Sequence, residues 1–230
     1  PSAYSFNADA GISILKYTGN TTSGAGLAHG MGKKPALFIA KDLGTTESWT
    51  VYHHSLGATK FLSWNGTGAE GTSTVRWNDT EPTTTNMILG SETSVNNTSM
   101  IGYCFAEVPG FSRFGRFRGN GDVNGSFVFT GFRPAWLVIK KYSGAGDGWY
   151  MVNNKNNPQN VVNKNLFVDT TGALSTAGSG ASDKNMDFLS NGFKVRTTNG
   201  EVNQSNEQYV YMAFAEFPMV SSNSKAGVAR

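Results

Sequence analysis

Two tryptophans set among polar residues are the first candidates for binding chemistry in this sequence. Trp64 lies in WNGTG and Trp77 in RWNDT, so amide, hydroxyl and charged groups flank both indoles. A sugar site needs this combination, because an aromatic ring covers the apolar face of the sugar while polar groups bind its hydroxyls. The pattern predicts a glycan platform of Trp64, Asn65, Arg76, Trp77, Asn78 and Asp79. Burial of either ring under a long loop is the alternative.

A second candidate is the loop GNGDVNG at residues 119–125. Asn120, Asp122 and Asn124 alternate there, as oxygen ligands do in calcium-binding loops. The loop lacks the trailing glutamate of an EF-hand, and the corresponding segment GNTTSGAG has no carboxylate. A plain hairpin turn is therefore the alternative, and we predict no cofactor.

The sequence favours no enzymatic reaction. Neighbouring strand residues point to opposite faces, so His53 and His54 are poorly placed to share a metal ion. P-loop, nucleophile-elbow and HExxH motifs do not occur. Glu107 and Glu216 each interrupt an apolar strand, and we interpret both as structural. A polysaccharide depolymerase, which needs two acids about 5–10 Å apart, is kept as a third alternative.

The remaining composition excludes several classes of protein. Charged residues make up 15% of the chain, against about 25% in an ordinary soluble domain. A net charge of +3 is too small to indicate a nucleic-acid partner. The lone cysteine, Cys104, excludes an intramolecular disulfide, and no apolar run is long enough for membrane insertion. A basic-then-apolar leader is not visible in this sequence, so we do not expect a secretory route.

Four arginines lie near the middle of the chain: Arg113, Arg116, Arg118 and Arg133. Such a cluster can attract an anionic glycan or an acidic partner surface. Solvated strand faces, or ion pairs between the two halves of the chain, are the favoured alternatives.

The chain repeats itself. HGMGKKPALFIAK, SWTVYHH and YCFAEVPG return in order as TGFRPAWLVIKK, GWYMVNN and MAFAEFP. We therefore predict two packed copies of one unit. Residues common to both copies are interpreted as scaffold, and residues in one copy alone as the place to look for function. The first group includes Trp49 with Trp149, Pro35 with Pro134, and Glu107 with Glu216; the second includes Trp64, Trp77, His53 and Asp122.

Short alternating or apolar runs separated by Asn-Gly, Asp-Gly and Ser-Gly pairs predict strands and tight turns throughout. The predicted strands are 13–17, 36–41, 49–53, 60–64, 86–89, 100–108, 115–118, 126–130, 135–141, 149–152, 165–168, 193–196 and 209–217. The expected fold is all-β, an antiparallel β-sandwich of jelly-roll or concanavalin-like type built from two duplicated halves. The predicted division is an arm or linker at 1–10, repeats at 11–110 and 111–220, and a polar tail at 221–230.

The strings quoted above resemble an uncharacterised domain family of virion proteins of tailed phages, common in marine and cyanobacterial phages. Three further strings carry the same resemblance: GISILKYTGN, FSRFGRFRGNGDVNGSFVFTG and DFLSNGFKVRT. The resemblance covers residues 11–230. It implies a role in a tail fibre, another appendage or a head decoration, and it carries over no catalytic residue.

The sequence and the resemblance together lead to one functional expectation. The chain is expected to be a non-enzymatic adhesin module on the virion exterior, made in the cytoplasm of the bacterial host and contacting host-surface glycan. Its expected partners are other virion proteins and further copies of itself, as a trimer if it belongs to a fibre. A capsid decoration protein that braces the phage head is the alternative.

Overall fold

The computed structural model describes residues 1–176, 178 and 183–217, and its regular structure is almost entirely β. This confirms the predicted fold class. The chain divides into two compact units, Pro1–Gly66 with Glu70–Val108, and Thr67–Ala69 with Pro109–Arg230. The division after Val108 lies close to the predicted boundary after residue 110. The predicted tail at 221–230 lies outside the described residues.

The first unit contains strands that are separated by turns rich in glycine, asparagine and threonine. They are β1 (Ala3–Asn7), β2 (Ile12–Tyr17), β3 (Ala25–Ala28), β4 (Pro35–Asp42), β5 (Thr50–His53), β6 (Lys60–Ser63), β7 (Gly71–Thr72), β8 (Asn86–Leu89) and β9 (Met100–Ala106). A single helical turn, α1 (Thr93–Asn96), precedes the last strand.

The second unit begins directly with a strand. Its elements are β10 (Ser112–Arg118), β11 (Phe127–Phe129), β12 (Trp136–Lys141), β13 (Tyr150–Asn153), β14 (Lys164–Phe167), β15 (Ser175–Thr176), β16 (Met186–Leu189), β17 (Gly192–Val195), α2 (Gly200–Asn203) and β18 (Gln208–Phe214). Every predicted strand overlaps an observed one.

The larger sheets of the two units have corresponding strand orders. In the first unit the order is β1-β2-β9-β4-β5-β6-β7, and in the second it is β10-β18-β12-β13-β14-β15. The central pairs are antiparallel: β2 with β9 and β4 with β9 in the first unit, and β12 with β18 in the second. A smaller sheet accompanies each one, β3-β8 in the first unit and β11-β17-β16 in the second. The common order is what a duplication would produce, and the duplication itself stays a hypothesis.

Each unit has its own hydrophobic core between the larger and the smaller sheet. In the first unit, β9 alternates between buried and half-buried residues, as expected of a strand with one face on a core. The first core includes Leu15, Phe38, Tyr52, Met87 and Cys104. The second includes Leu137, Ile139, Tyr150, Phe193 and Tyr209. Two packed antiparallel layers in each unit are consistent with a sandwich.

Several elements escape sequence-based prediction. Residues 1–10 contain β1, which pairs with β2 from Ala3 to Asn7, although the sequence assigns them to an arm or linker. Strand β3 has the sequence AGLA, which lacks the β-branched and aromatic residues that favour strands. The two helical turns are too short to show a helical period.

A buried asparagine at the end of each helical turn fastens the loop that follows the first strand of the repeat. Asn96 donates to the carbonyls of Gly90 (2.7 Å) and Thr22 (3.1 Å). Asn203 donates to the carbonyls of Thr197 (2.6 Å) and Asp122 (2.9 Å). The chain can come this close only because glycine precedes the loop, since a Cβ at residue 19 or 119 would overlap the backbone beside these asparagines.

We expect Asn203→Ala to lower the free energy of unfolding by about 2–3 kcal/mol, because several buried polar groups lose their partners at once. Urea denaturation followed by circular dichroism measures this. Ser205→Ala, in the exposed turn that follows, is the control and should change the value by less than about 0.5 kcal/mol. Equal stability of Asn203→Ala and the wild type would contradict the assigned role.

Candidate functional site

Trp77 belongs to the first hydrophobic core and is fully buried. Its ring makes edge contacts with Phe38 and Tyr52, each at a centroid distance of 5.9 Å. The indole Nε1 donates to the carbonyl of Lys60 at 2.9 Å. The interpretation of Trp77 as an exposed stacking ring is therefore wrong. The loop between β7 and β8 lies across the core and inserts the ring into it.

Arg76 is also directed into the first unit. Its guanidinium lies 3.7 Å above the centre of the Phe61 ring. Its Nη1 donates to the hydroxyls of Thr50 (2.9 Å) and Ser94 (2.8 Å). Because these donors are engaged within the unit, Arg76 supports the loop and does not provide the predicted sugar contact.

The other platform residues lie in turns. Trp64 is half-buried, and its amide donates to the carbonyl of Trp49. Asn65 Oδ1 accepts the amide of Trp49 at 3.1 Å, so this side chain closes the turn. Asn78 and Asp79 have φ values of 53° and 46°, a left-handed pair in the loop that carries Trp77. With Trp77 buried, the predicted platform lacks one of its two rings.

The calcium candidate is a hydrogen-bonded turn. Asn120 Oδ1 accepts from the Asp122 amide (3.0 Å) and from Asn203 Nδ2 (3.0 Å). Asp122 Oδ1 accepts from the Asn124 amide at 2.7 Å. These side-chain oxygens fold the loop, as in the hairpin alternative. Among the described residues, His, Cys, Asp and Glu form no group of three that could hold a metal ion.

The histidines take part in backbone hydrogen bonding. His29 is buried; Nδ1 accepts the amide of Met31, and burial lowers the pKa of the ring. His53 is buried, and its Nδ1 accepts the amide of Ser55. These contacts agree with structural roles.

The second unit contains a groove of about 500 Å³ at the end of its larger sheet. This volume lies within the usual range of small-molecule sites, about 300–1,000 Å³. Mostly apolar side chains line it together with three charged ones and an amide: Gly110, Phe132, Arg133, Pro134, Ala135, Asn154, Lys155, Pro158, Ala215, Glu216 and Phe217. Phe217 is 73% exposed, which makes it an aromatic face open to a ligand.

Three neighbouring strands position the groove. Arg133 and Pro134 precede β12, Asn154 and Lys155 follow β13, and Glu216 follows β18. The three strands are adjacent in the sheet, with β12 between the other two. The start of β12 and the ends of β13 and β18 therefore lie side by side at one end of the strands. The backbone N–H of Asn154 donates to the Ala135 carbonyl at 2.8 Å. This bond joins the segment after β13 to the segment before β12.

The polar groups of the groove are partly preorganised. Glu216 accepts hydrogen bonds from the Lys155 ammonium and from Asn154 Nδ2, the latter at 2.9 Å. The Lys155 hydrogen bond, followed by that of Asn154, lowers the pKa of Glu216. Asn154 Oδ1 is buried and accepts no hydrogen bond.

The first unit has a corresponding, smaller groove of about 320 Å³. It is lined by Lys33, Lys34, Pro35, Ala36, His54, Glu81 and Glu107. Lys34, Pro35, His54 and Glu107 stand where the second repeat has Arg133, Pro134, Asn154 and Glu216. Glu81 comes from the loop before β8 and lines the first groove, whereas none of the described residues between β15 and β17 lines the second.

Sequence reasoning missed this groove because it treated shared residues as scaffold. Glu216 occurs in both copies, yet it lies on the groove edge. A usable signal was present, since Phe217 and Lys155 stand where the first copy has Val108 and Ser55. The arginine cluster is divided, because Arg133 lines the groove while Arg113, Arg116 and Arg118 lie along β10.

A buried lysine near the middle of the second unit predicts a pH dependence of stability. Lys140 is fully buried and donates to the carbonyl of Asp147. Burial lowers the pKa of Lys140 to about 8, against the opposing charges of Asp169 and Asp147. The folded-state pKa thus lies below the unfolded value of about 10.4. Unfolding then takes up a proton at Lys140 between these values, so the contribution of this group to stability rises with pH.

We therefore expect the difference in urea midpoint, wild type minus Lys140→Met, to increase from pH 8 to pH 10. The comparison cancels the buried Cys104 thiol and the buried tyrosines, whose raised pKa values act in the opposite direction in both proteins. Measurements below pH 8, where Lys140 is protonated in both states, provide the baseline. An identical pH profile in the two proteins would contradict the assignment.

Helices in the described part of the chain are all too short to cross a membrane. Comparison with protein families gives one match, a domain of unknown function, DUF7483, over residues 1–218. Comparison with curated proteins and with solved structures gives no match.

Proposed function

We propose that this chain, which belongs to the DUF7483 domain family, is a non-enzymatic adhesin module on the exterior of a phage particle and binds host-surface glycan. The phage setting rests on the sequence resemblance. The binding role rests on the groove of the second unit, which combines an exposed aromatic ring with an amide, a carboxylate and two cations.

The chemistry of the groove suits sugar recognition. Phe217 offers an open ring face for the apolar side of a sugar. The exposed Glu216 carboxylate supplies acceptor oxygens, and Arg133 and Lys155 supply donors. A single shallow site of this kind binds weakly, and many copies on one particle would raise the overall affinity through avidity.

The described lining of the groove holds a single carboxylate, Glu216, whereas hydrolysis of a glycosidic bond uses a pair of acids, and this favours binding. A general acid in a glycosidase needs a raised pKa so that it carries a proton near neutral pH. Lys155 and Asn154 have the opposite effect on Glu216, since their hydrogen bonds lower its pKa. Glu216 is thus suited to orient Asn154 and Lys155 toward a ligand.

Adsorption competition tests the proposal. Purified chain, added in excess to host cells, should reduce adsorption of the phage that carries it, and antibody against the chain should label the particle exterior. Phe217→Ala protein should compete much less well. Unlabelled particles, or adsorption that is insensitive to the wild-type chain, would refute the adhesin role.

A capsid decoration protein is the second candidate, and one surface favours it. Phe127 and Phe129 are 47% and 63% exposed on β11, an edge strand of the smaller sheet. Exposed apolar side chains on an edge strand are common at protein contacts. If this role is correct, Phe127→Ser with Phe129→Ser should reduce the number of chains per particle and weaken particles, while adsorption stays unchanged.

A further inference from the structure

We infer that the groove of the second unit takes a carboxylate of its ligand, such as that of a uronic acid residue, and that Arg133 is the residue that selects it. This inference rests on the proposed glycan-binding function and names the class of glycan.

In the first unit, Lys34 stands at the position of Arg133, and its ammonium binds a carboxylate of the same unit. The ammonium of Lys34 lies 3.0 Å from Glu81 Oε2. Glu81 also accepts the hydroxyl of Tyr52 (2.6 Å) and the amide of Ala58 (2.9 Å). The first groove therefore carries a carboxylate of its own, that of Glu81. The Lys34 ammonium, the Tyr52 hydroxyl and the Ala58 amide all donate to it.

The second groove keeps the cation, and the described residues supply no counterpart of the Glu81 carboxylate. Arg133 stands at the position of Lys34, directly before the shared proline, and it is exposed. Among residues 1–176, 178 and 183–217, Arg133 has no hydrogen-bond or ion-pair partner. Val152 stands at the position of Tyr52, so the donor that holds Glu81 is missing as well.

Glu216 does not replace Glu81. Its counterpart is Glu107, which lines the first groove together with Glu81. Glu216 is also engaged by Lys155 and Asn154. Among the described lining residues, one positive charge, that of Arg133, is consequently left without an opposite charge in the second groove.

The change from lysine to arginine fits an external ligand. A guanidinium presents two parallel N–H donors that match the two oxygens of a carboxylate, whereas an ammonium acts as a compact point charge. The larger volume of the second groove leaves room for the sugar ring that bears the carboxylate, beside Phe217 and Asn154.

The experiment compares acidic oligosaccharides with their neutral counterparts. A panel of uronate-containing and ulosonate-containing oligosaccharides is presented in native form and after reduction of the carboxyl groups to alcohols. Calorimetry with the full chain should give at least about tenfold tighter binding for the native member that fits best. Arg133→Gln should remove this preference, and Arg116→Gln, an exposed arginine on β10, should keep it.

The outcomes separate this inference from the proposed function. Equal binding of native and reduced sugars, or an intact preference in Arg133→Gln, would overturn the carboxylate inference and leave glycan binding in place. Failure of every sugar in both forms would overturn both. Binding of an Asp- and Glu-rich peptide in preference to all sugars, lost in Arg133→Gln, would place the carboxylate on a protein partner and contradict the glycan assignment.

Discussion

Replacing Trp77 with alanine should lower the free energy of unfolding by about 3–5 kcal/mol, the range observed when a large aromatic side chain is removed from a core. The ring is fully buried, contacts Phe38 and Tyr52, and satisfies the carbonyl of Lys60. The alanine variant would leave a cavity and remove the hydrogen bond to the Lys60 carbonyl. Urea denaturation measures the loss.

Val75→Ala is the matched control for Trp77→Ala. Val75 lies two residues away in the same loop and is 41% exposed, so its truncation should cost less than about 0.5 kcal/mol. If Trp77→Ala were as stable as this control, the ring would be a surface group and the glycan-platform interpretation would return.

Truncation of Phe217 should have the largest effect on binding. We expect Phe217→Ala to weaken glycan affinity at least about tenfold, because an exposed aromatic ring in a groove is the usual energetic centre of such a site. Stability should change little, since the side chain is 73% exposed. Calorimetry, with the best-binding oligosaccharide of the panel described above, measures the affinity.

Phe129→Ala provides the control for Phe217→Ala. Phe129 is 63% exposed in the same unit but does not line the groove, so its loss should leave glycan affinity unchanged. Equal losses in the two variants would show that the groove has no special role in binding.

Features that depend on neighbouring residues in the sequence could be predicted from it. Strands β4 and β9 are both apolar at nearly every position, so both follow from their apolar runs. The burial of Cys104 followed from its place in an apolar strand with alanine at the same position in the second copy.

Features that depend on contacts between residues far apart in the sequence could not be predicted in the same way. The neighbours of Trp77 suggest a polar surface, but contact with Phe38, far away in sequence, buries the ring. The groove forms where three strand ends meet, and their adjacency comes from sheet order. The rule that separates shared from unshared residues fails for Trp77, which is unshared and structural, and for Glu216, which is shared and lines the groove.

The central claim is that the groove of the second unit binds glycan. The most direct test is a titration of ¹⁵N-labelled protein with the best-binding acidic oligosaccharide, followed by two-dimensional NMR. The account predicts the largest shift changes at the side-chain amide of Asn154 and at the backbone amides of Lys155, Glu216 and Phe217. Saturable shifts centred instead on Trp64 and Asn65, with the groove signals unmoved, would contradict it.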